Sequence, residues 1–227
     1  MVYRDMNLVL TSNLPSTPIE AVYQLMRQIG ELPRIAWIPP FKDIENKRFT
    51  IAKRLFEAHG FERLETFSMG GAGIESSTRV EDYDVIYLSG GDPVKFRENL
   101  IQSNLANHLR NLIKNGKMIV ASSGGSMQLA KNVSVFRLIN LEVEQVIAER
   151  NEYEALGIVP YEFLPHLNAH SESFLEKVRQ YSQAIHHPVI GVEDGGALMH
   201  KSRDTYQLVG RVSIFRHGDI ESIEGEA

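Results

Sequence analysis

Ser123 is the first residue around which a chemistry can be built. It stands in Ala121-Ser122-Ser123-Gly124-Gly125, between the apolar run Met118-Ile119-Val120 and a segment, Ser126 to Ala130, that resumes helical spacing. Small-x-Ser-x-Gly at a strand-to-helix junction is the pattern of a nucleophile elbow, here with Ala in its first position. Such a turn strains the serine backbone and brings strand and helix so close that small residues are needed on either side. A serine held there exposes its hydroxyl above the sheet edge. The Gly124 N–H and the positive end of the following helix would face an oxyanion forming on an attacked carbonyl. A Gly/Ser-rich strand-to-helix turn is also commonplace, so the serine needs partners.

Acyl transfer by serine requires a base, an orienting acid and oxyanion donors. Of the eight histidines, His59, His108, His186, His187, His200 and His217 fall near helix ends or in surface turns, where a solvated ring is expected. His166 and His170 differ: they follow an extended apolar run, and Pro165 restricts the backbone just before His166. His166 also lies downstream of Ser123, in the hydrolase order of nucleophile before histidine. His166 is therefore the expected base and His170 the second candidate. Gly90-Gly91, closing the apolar stretch 84–88, offers further backbone donors, so Gly91 and Gly124 are the expected oxyanion hole. No metal-ligand cluster is apparent, no phosphate-loop Lys follows Gly90-Gly91, and no cofactor is expected.

The elements that must hold these residues alternate. Apolar strand-like runs at 7–11, 34–38, 64–67, 84–88 and 118–122 are separated by helical spacing beginning near Ser16-Thr17-Pro18, then at 46–59, 94–101 and 105–115. That alternation predicts an α/β fold, a mostly parallel sheet covered by helices on both faces in a three-layer sandwich. Sites in such sheets form beyond the carboxyl ends of the strands, where Gly91 and Ser123 would share one rim. Residues 68–78 read as a Gly/Ser-rich loop with room for a short helical turn. Further on, 142–155 reads as a charged helix and 157–164 as extended. Ser171 caps a helix to about 185, and 187–199 reads as two strands about the turn Glu193-Asp194-Gly195-Gly196. Two antiparallel strands follow at 205–209 and 212–215. No repeat or linker divides residues 1–227, so a single domain is expected.

Four ordered segments resemble the peptidase E family, the α-aspartyl dipeptidases and cyanophycinase relatives. They are Val85-Ile-Tyr-Leu-Ser-Gly-Gly-Asp-Pro93, Val120-Ala-Ser-Ser-Gly-Gly-Ser-Met127, Leu164-Pro-His-Leu167 and Ile190-Gly-Val-Glu-Asp-Gly-Gly-Ala-Leu198. The resemblance implies a class I glutamine-amidotransferase-like fold and a serine peptidase cleaving a small peptide, with an N-terminal aspartyl dipeptide as the suggested substrate. It puts the nucleophile on Ser123 and the base on His166. It also implies an acid between them, in a turn soon after the nucleophile helix. Residues 131–141 contain no Asp or Glu, which leaves Glu144 as the best fit and Glu142 as its neighbour. Both also suit the ordinary role of carboxylates at a helix N-terminus. Family aspartyl dipeptidases hold the substrate carboxylate with a basic residue. Arg179 lies at a comparable distance after His166, though its charged neighbours also suit a solvated helix face. Gly124 and Ser126 depart from the family, which usually has Ala at both positions.

Composition narrows the alternatives. A net charge of −5 and the lack of a basic cluster argue against nucleic acid as a partner. The absence of cysteine removes disulfides and thiolate chemistry. No apolar run is long enough to span a bilayer and none resembles a leader, so a cytoplasmic protein without a membrane partner is expected. The assembly is left open, a homodimer included. The rival readings are a non-catalytic scaffold of the same fold and an esterase or amidase using the same Ser–His pair.

Overall fold

The computed structural model describes residues 6–67 and 79–225. The expected loop 68–78 lies outside the described residues. The core is a seven-stranded sheet in the order β3-β2-β4-β5-β1-β8-β9. Its strands are β1 (Leu8–Thr11), β2 (Ile35–Ile38), β3 (Leu64–Thr66), β4 (Val85–Leu88), β5 (Met118–Ser122), β8 (Ala197–His200) and β9 (Tyr206–Val209). The first five run parallel, and β8 and β9 add antiparallel at one edge. Every residue of β1, β2, β4 and β5 is buried, which is why these strands read as unbroken apolar runs rather than alternating ones.

Two hydrophobic clusters cover the two faces. On one, Val22, Tyr23 and Met26 of α1 (Glu20–Arg27) and Phe56 of α2 (Lys47–Glu57) pack on Val9, Trp37, Tyr87 and Val120. On the other, Leu10, Ile38, Leu88 and Ala121 meet Phe96 and Leu100 of α3 (Pro93–Gln102). Leu109 of α4 (Leu105–Lys114) and Met127 of α5 (Gly124–Leu129) complete that face. This is the expected three-layer α/β arrangement. A second, four-stranded sheet has the order β11-β10-β7-β6, from β6 (Glu162–Leu164), β7 (Val189–Val192), β10 (Arg211–Arg216) and β11 (Asp219–Glu224).

Several local expectations need correction. The first helix starts at Glu20 rather than at Pro18, because residues 13–17 close a turn of their own, with Thr17 N–H donating to Asn13 O at 2.7 Å. The charged segment 142–155 is not one helix. It divides into α6 (Val143–Ala148) and a 3₁₀ turn, Arg150–Tyr153. Strand β11 was not anticipated; its residues are almost all exposed, so burial left no apolar pattern to read. The helix capped by Ser171 is α7 (Glu172–Ala184), and the Ser171 hydroxyl accepts from Phe174 N–H. Among the described residues no helix is long and apolar enough to cross a membrane.

Candidate active site

Ser123 joins β5 to α5 with φ 49° and ψ −119°, outside the regions that L-residues favour. The strain is held from both sides. Ser123 N–H donates to Thr11 O at 3.0 Å. Ser126 Oγ donates to Thr11 O at 2.8 Å and accepts from Thr11 N–H at 3.1 Å, tying α5 to β1. The hydroxyl that departs from the family pattern is thus a buried clamp and does not stand beside the nucleophile. The glycines explain the close approach. A Cβ on Gly125 would lie 2.3 Å from Leu88 O, and one on Gly124 would lie 2.0 Å from Gly91 O. At Gly124 the Gly91 carbonyl fills the space that a Cβ would take. The Gly90–Gly91 turn and Ser123 do share one rim: a Cβ on Gly90 would sit 3.3 Å from Ser123 Cβ.

His166 follows β6 in a left-handed conformation, φ 57° and ψ 38°. Its Nε2 lies 2.9 Å from Ser123 Oγ. Its Nδ1 lies 2.7 Å from Asp194 Oδ1. A carboxylate can only accept, so Nδ1 carries the proton and Nε2 accepts from the Ser123 hydroxyl. Ser12, fully buried at the end of β1, braces both partners. Its Oγ accepts from His166 N–H at 2.7 Å and donates to Asp194 Oδ1 at 2.8 Å. Asn168 Oδ1 accepts from Asp194 N–H at 3.0 Å and fixes the β7–β8 turn. His166 and Asp194 remain about a third exposed, so the site is open to a substrate.

The carboxylate beside His166 is therefore Asp194, and the assignment of Glu144 or Glu142 to that place is corrected. Both belong to the N-terminus of α6. Val146 is the buried residue of that helix, and Glu144, two positions earlier, projects about 200° away from it, into solvent. Glu142 binds Lys177 Nζ at 2.8 Å. Arg179 is also elsewhere. Its guanidinium grips Glu176 with two bonds of 2.7 Å and donates to Gly218 O. Its helical neighbour satisfies it, and it lines neither cavity at Ser123. His170 stays near but does not reach Ser123. Its Nε2 bonds Pro165 O at 3.0 Å, its ring stacks on Phe174, and burial holds its pKa below the ordinary histidine value.

Sequence reasoning missed Asp194 and Ser12. The signal for Asp194 was present as an acidic pair before Gly195-Gly196 at a predicted turn between strands. Two histidines expected at the surface are inside. His187 Nε2 lies 3.1 Å from the fully buried Glu162, which also binds Arg150 and Tyr181. His200 is 3% exposed, and its Nδ1–H donates to Ser202 O, so its Nε2 accepts from Tyr161 O–H at 2.6 Å.

Gly91, Ser123, Gly124, His166 and His170 line one cavity, and Gly91, Ser123 and His166 also line a second. Among the described residues no group of His, Asp and Glu has the arrangement of a metal site.

Comparison with known proteins places the chain. It is 28% identical over 138 residues to peptidase E of Shewanella sp. (strain ANA-3), an alignment covering 58% of this chain and 56% of the relative. It is 24% identical over 133 residues to peptidase E of Streptomyces coelicolor, covering 56% and 52%. The aligned region thus spans about half the length of these curated relatives. The fold matches the crystal structure of a peptidase from an acI-B1 Actinobacterium with a TM-score of 0.69 at 21% identity, over 98% of this chain and 96% of that one. The model of peptidase family S51 matches residues 8–208. With that match over most of its length, the chain belongs to peptidase family S51.

Proposed function

We propose that this protein is a serine peptidase that hydrolyses small peptides through Ser123, His166 and Asp194. The observation that carries this reading is the unbroken line from Ser123 Oγ through the imidazole to Asp194 Oδ1, with bonds of 2.9 and 2.7 Å. Ser123 Oγ attacks the scissile carbonyl carbon and gives its proton to Nε2. Asp194 keeps Nδ1 protonated and stabilises the imidazolium that forms. The tetrahedral oxyanion lies by the N–H groups of Gly91, in the turn before α3, and of Gly124, which opens α5 and so has no intrahelical acceptor. The intermediate collapses, the imidazolium protonates the leaving amine, and water repeats the cycle to release the acid. Ser12 is a positioning residue, because it touches the imidazole's backbone and the carboxylate but not the reacting atoms.

The Peptidase E name of the relatives and the family match support peptide bonds as the substrate class. The decisive assay is hydrolysis of a dipeptide panel by the protein and by Ser123→Ala. Cleavage by the first and none by the second supports the reading. Equal release of amino acids by both would remove Ser123 from the chemistry.

A further inference from the structure

Ser123 sits between two cavities, one over each face of the main sheet, and their linings differ in kind. The first, about 110 Å³, lies on the α5 side and is walled by Met127, Phe136, Ile139, Leu164 and Phe174. Among the described residues its lining includes no Lys, Arg, Asp or Glu. Its titratable groups are His166, already committed to Ser123 and Asp194, and His170, which burial keeps toward the neutral form. An aspartyl side chain placed there would lose its hydration and meet no cation, whereas an aliphatic one would be covered. The volume approaches the ~150 Å³ of apolar cavities that take up benzene, enough for a branched aliphatic group.

The second cavity, about 360 Å³, lies on the α1–α2 side. Among the described residues lining it, Arg48 is the one side chain with a permanent charge. Its Nη1 reaches to within 3.0 Å of where a Cβ on Gly91 would stand, beside the expected oxyanion donors. Its guanidinium rests 4.8 Å from the centre of the Phe41 ring. It has neither a hydrogen bond nor an ion pair among the described residues. Arg179, by contrast, is saturated by Glu176. An Arg fork that meets no carboxylate among the described residues, lining the same cavity as Ser123, is suited to a carboxylate carried by the substrate.

We propose that the substrate is a short peptide with an apolar residue on the acyl side of the scissile bond, seated in the α5-side cavity, and a free C-terminal carboxylate bound by Arg48. The assignment rests on the hydrolase reading of Ser123. The carboxylate belongs on the leaving-group side, because every unblocked dipeptide carries one there. Aspartyl specificity in the acyl subsite is incompatible with a cavity that supplies no cation.

The test compares Leu-Ala, Asp-Ala and Leu-Ala amide as substrates of the protein and of Arg48→Ala, whose altered side chain is exposed. Leu-Ala is expected to exceed both Asp-Ala and the amide in kcat/KM by on the order of tenfold or more. In Arg48→Ala the acid-over-amide ratio should fall to about 1. A preference for Asp-Ala, or an acid-over-amide ratio that survives in Arg48→Ala, overturns the proposal. Fluorophosphonate labelling of Ser123, run on both proteins, separates the two levels. Labelling without these preferences, or labelling that no dipeptide slows and with none cleaved, discards the subsites and leaves the hydrolase. Absence of labelling together with absence of cleavage overturns the hydrolase reading and this proposal with it.

Discussion

His166 Nδ1 lies 2.7 Å from Asp194 Oδ1, so the carboxylate partner follows the histidine in the chain instead of preceding it. The pair is made by topology. Strand β8 lies antiparallel to β1, with Thr11 opposite Ala197, and this brings the β7–β8 turn to the rim occupied by Ser123. Asp194→Asn should therefore lower kcat by roughly 10⁴, because an amide no longer fixes the productive tautomer. Glu142→Gln and Glu144→Gln should leave kcat within about twofold of the parent, since ordinary surface changes away from the chemistry have small effects. Steady-state kinetics on the three variants decide it. A large loss in Glu144→Gln with a small one in Asp194→Asn would reverse the assignment.

Ser12 supplies the second prediction. Its hydroxyl bonds both His166 N–H and Asp194 Oδ1, and hydrogen bonds to charged groups contribute about 1.5–3 kcal/mol. Ser12→Ala should cut kcat by roughly tenfold to a hundredfold while KM stays nearly constant. Loss confined to KM would mean that Ser12 acts on substrate binding instead.

Gly124 tests the packing at the elbow. An added methyl would lie 2.0 Å from the Gly91 carbonyl oxygen, a backbone atom that cannot move without shifting the β4–α3 connection. Gly124→Ala should destabilise the fold by about 1–3 kcal/mol, the usual cost of overpacking, and should impair activity as well. Denaturant unfolding measures the first effect. Unchanged stability would show that the Gly91 turn relaxes freely.

The buried His200 sets a pH dependence of stability. Burial lowers its pKa to about 4, below the ~6.5 of an unfolded chain. As pH falls from about 6.5 to about 4, the unfolded state binds the proton first, so stability declines across that window. At higher pH the ring is neutral in both states and contributes no slope. The full shift corresponds to on the order of 3 kcal/mol. His200→Gln should flatten the profile between these limits relative to the parent. Parallel profiles for the two proteins would show that His200 does not titrate in the folded state as burial implies.

Much of the fold was legible because it rests on local pattern. The apolar runs of β1, β2, β4 and β5 are buried throughout, and buried parallel strands leave that signature. Ser123 and His166 were legible because turn chemistry marks both: small residues around the serine, and Pro165 before the histidine. Asp194 was not, although its segment was among those resembling the family, because nothing local ties a carboxylate in one turn to an imidazole 28 positions earlier. That link depends on the pairing of β8 with β1. Glu144 and Arg179 misled for a shared reason. Charges on exposed helices sit at reasonable distances along the chain from many sites, and only the helix face shows that Glu144 meets solvent and Arg179 meets Glu176. Arg48 drew no attention because its segment read as the first turn of an ordinary helix.

The most direct measurement is to treat the protein with a fluorophosphonate probe and locate the modified residue by mass spectrometry. An Oγ hydrogen-bonded to a tautomer-fixed imidazole reacts, and an ordinary serine does not. The account predicts a single modification at Ser123, abolished in Ser123→Ala and in His166→Ala, with Ser122 and Ser126 untouched. Modification at another serine, or none between pH 6 and 9, roughly the histidine titration range and above, would contradict it.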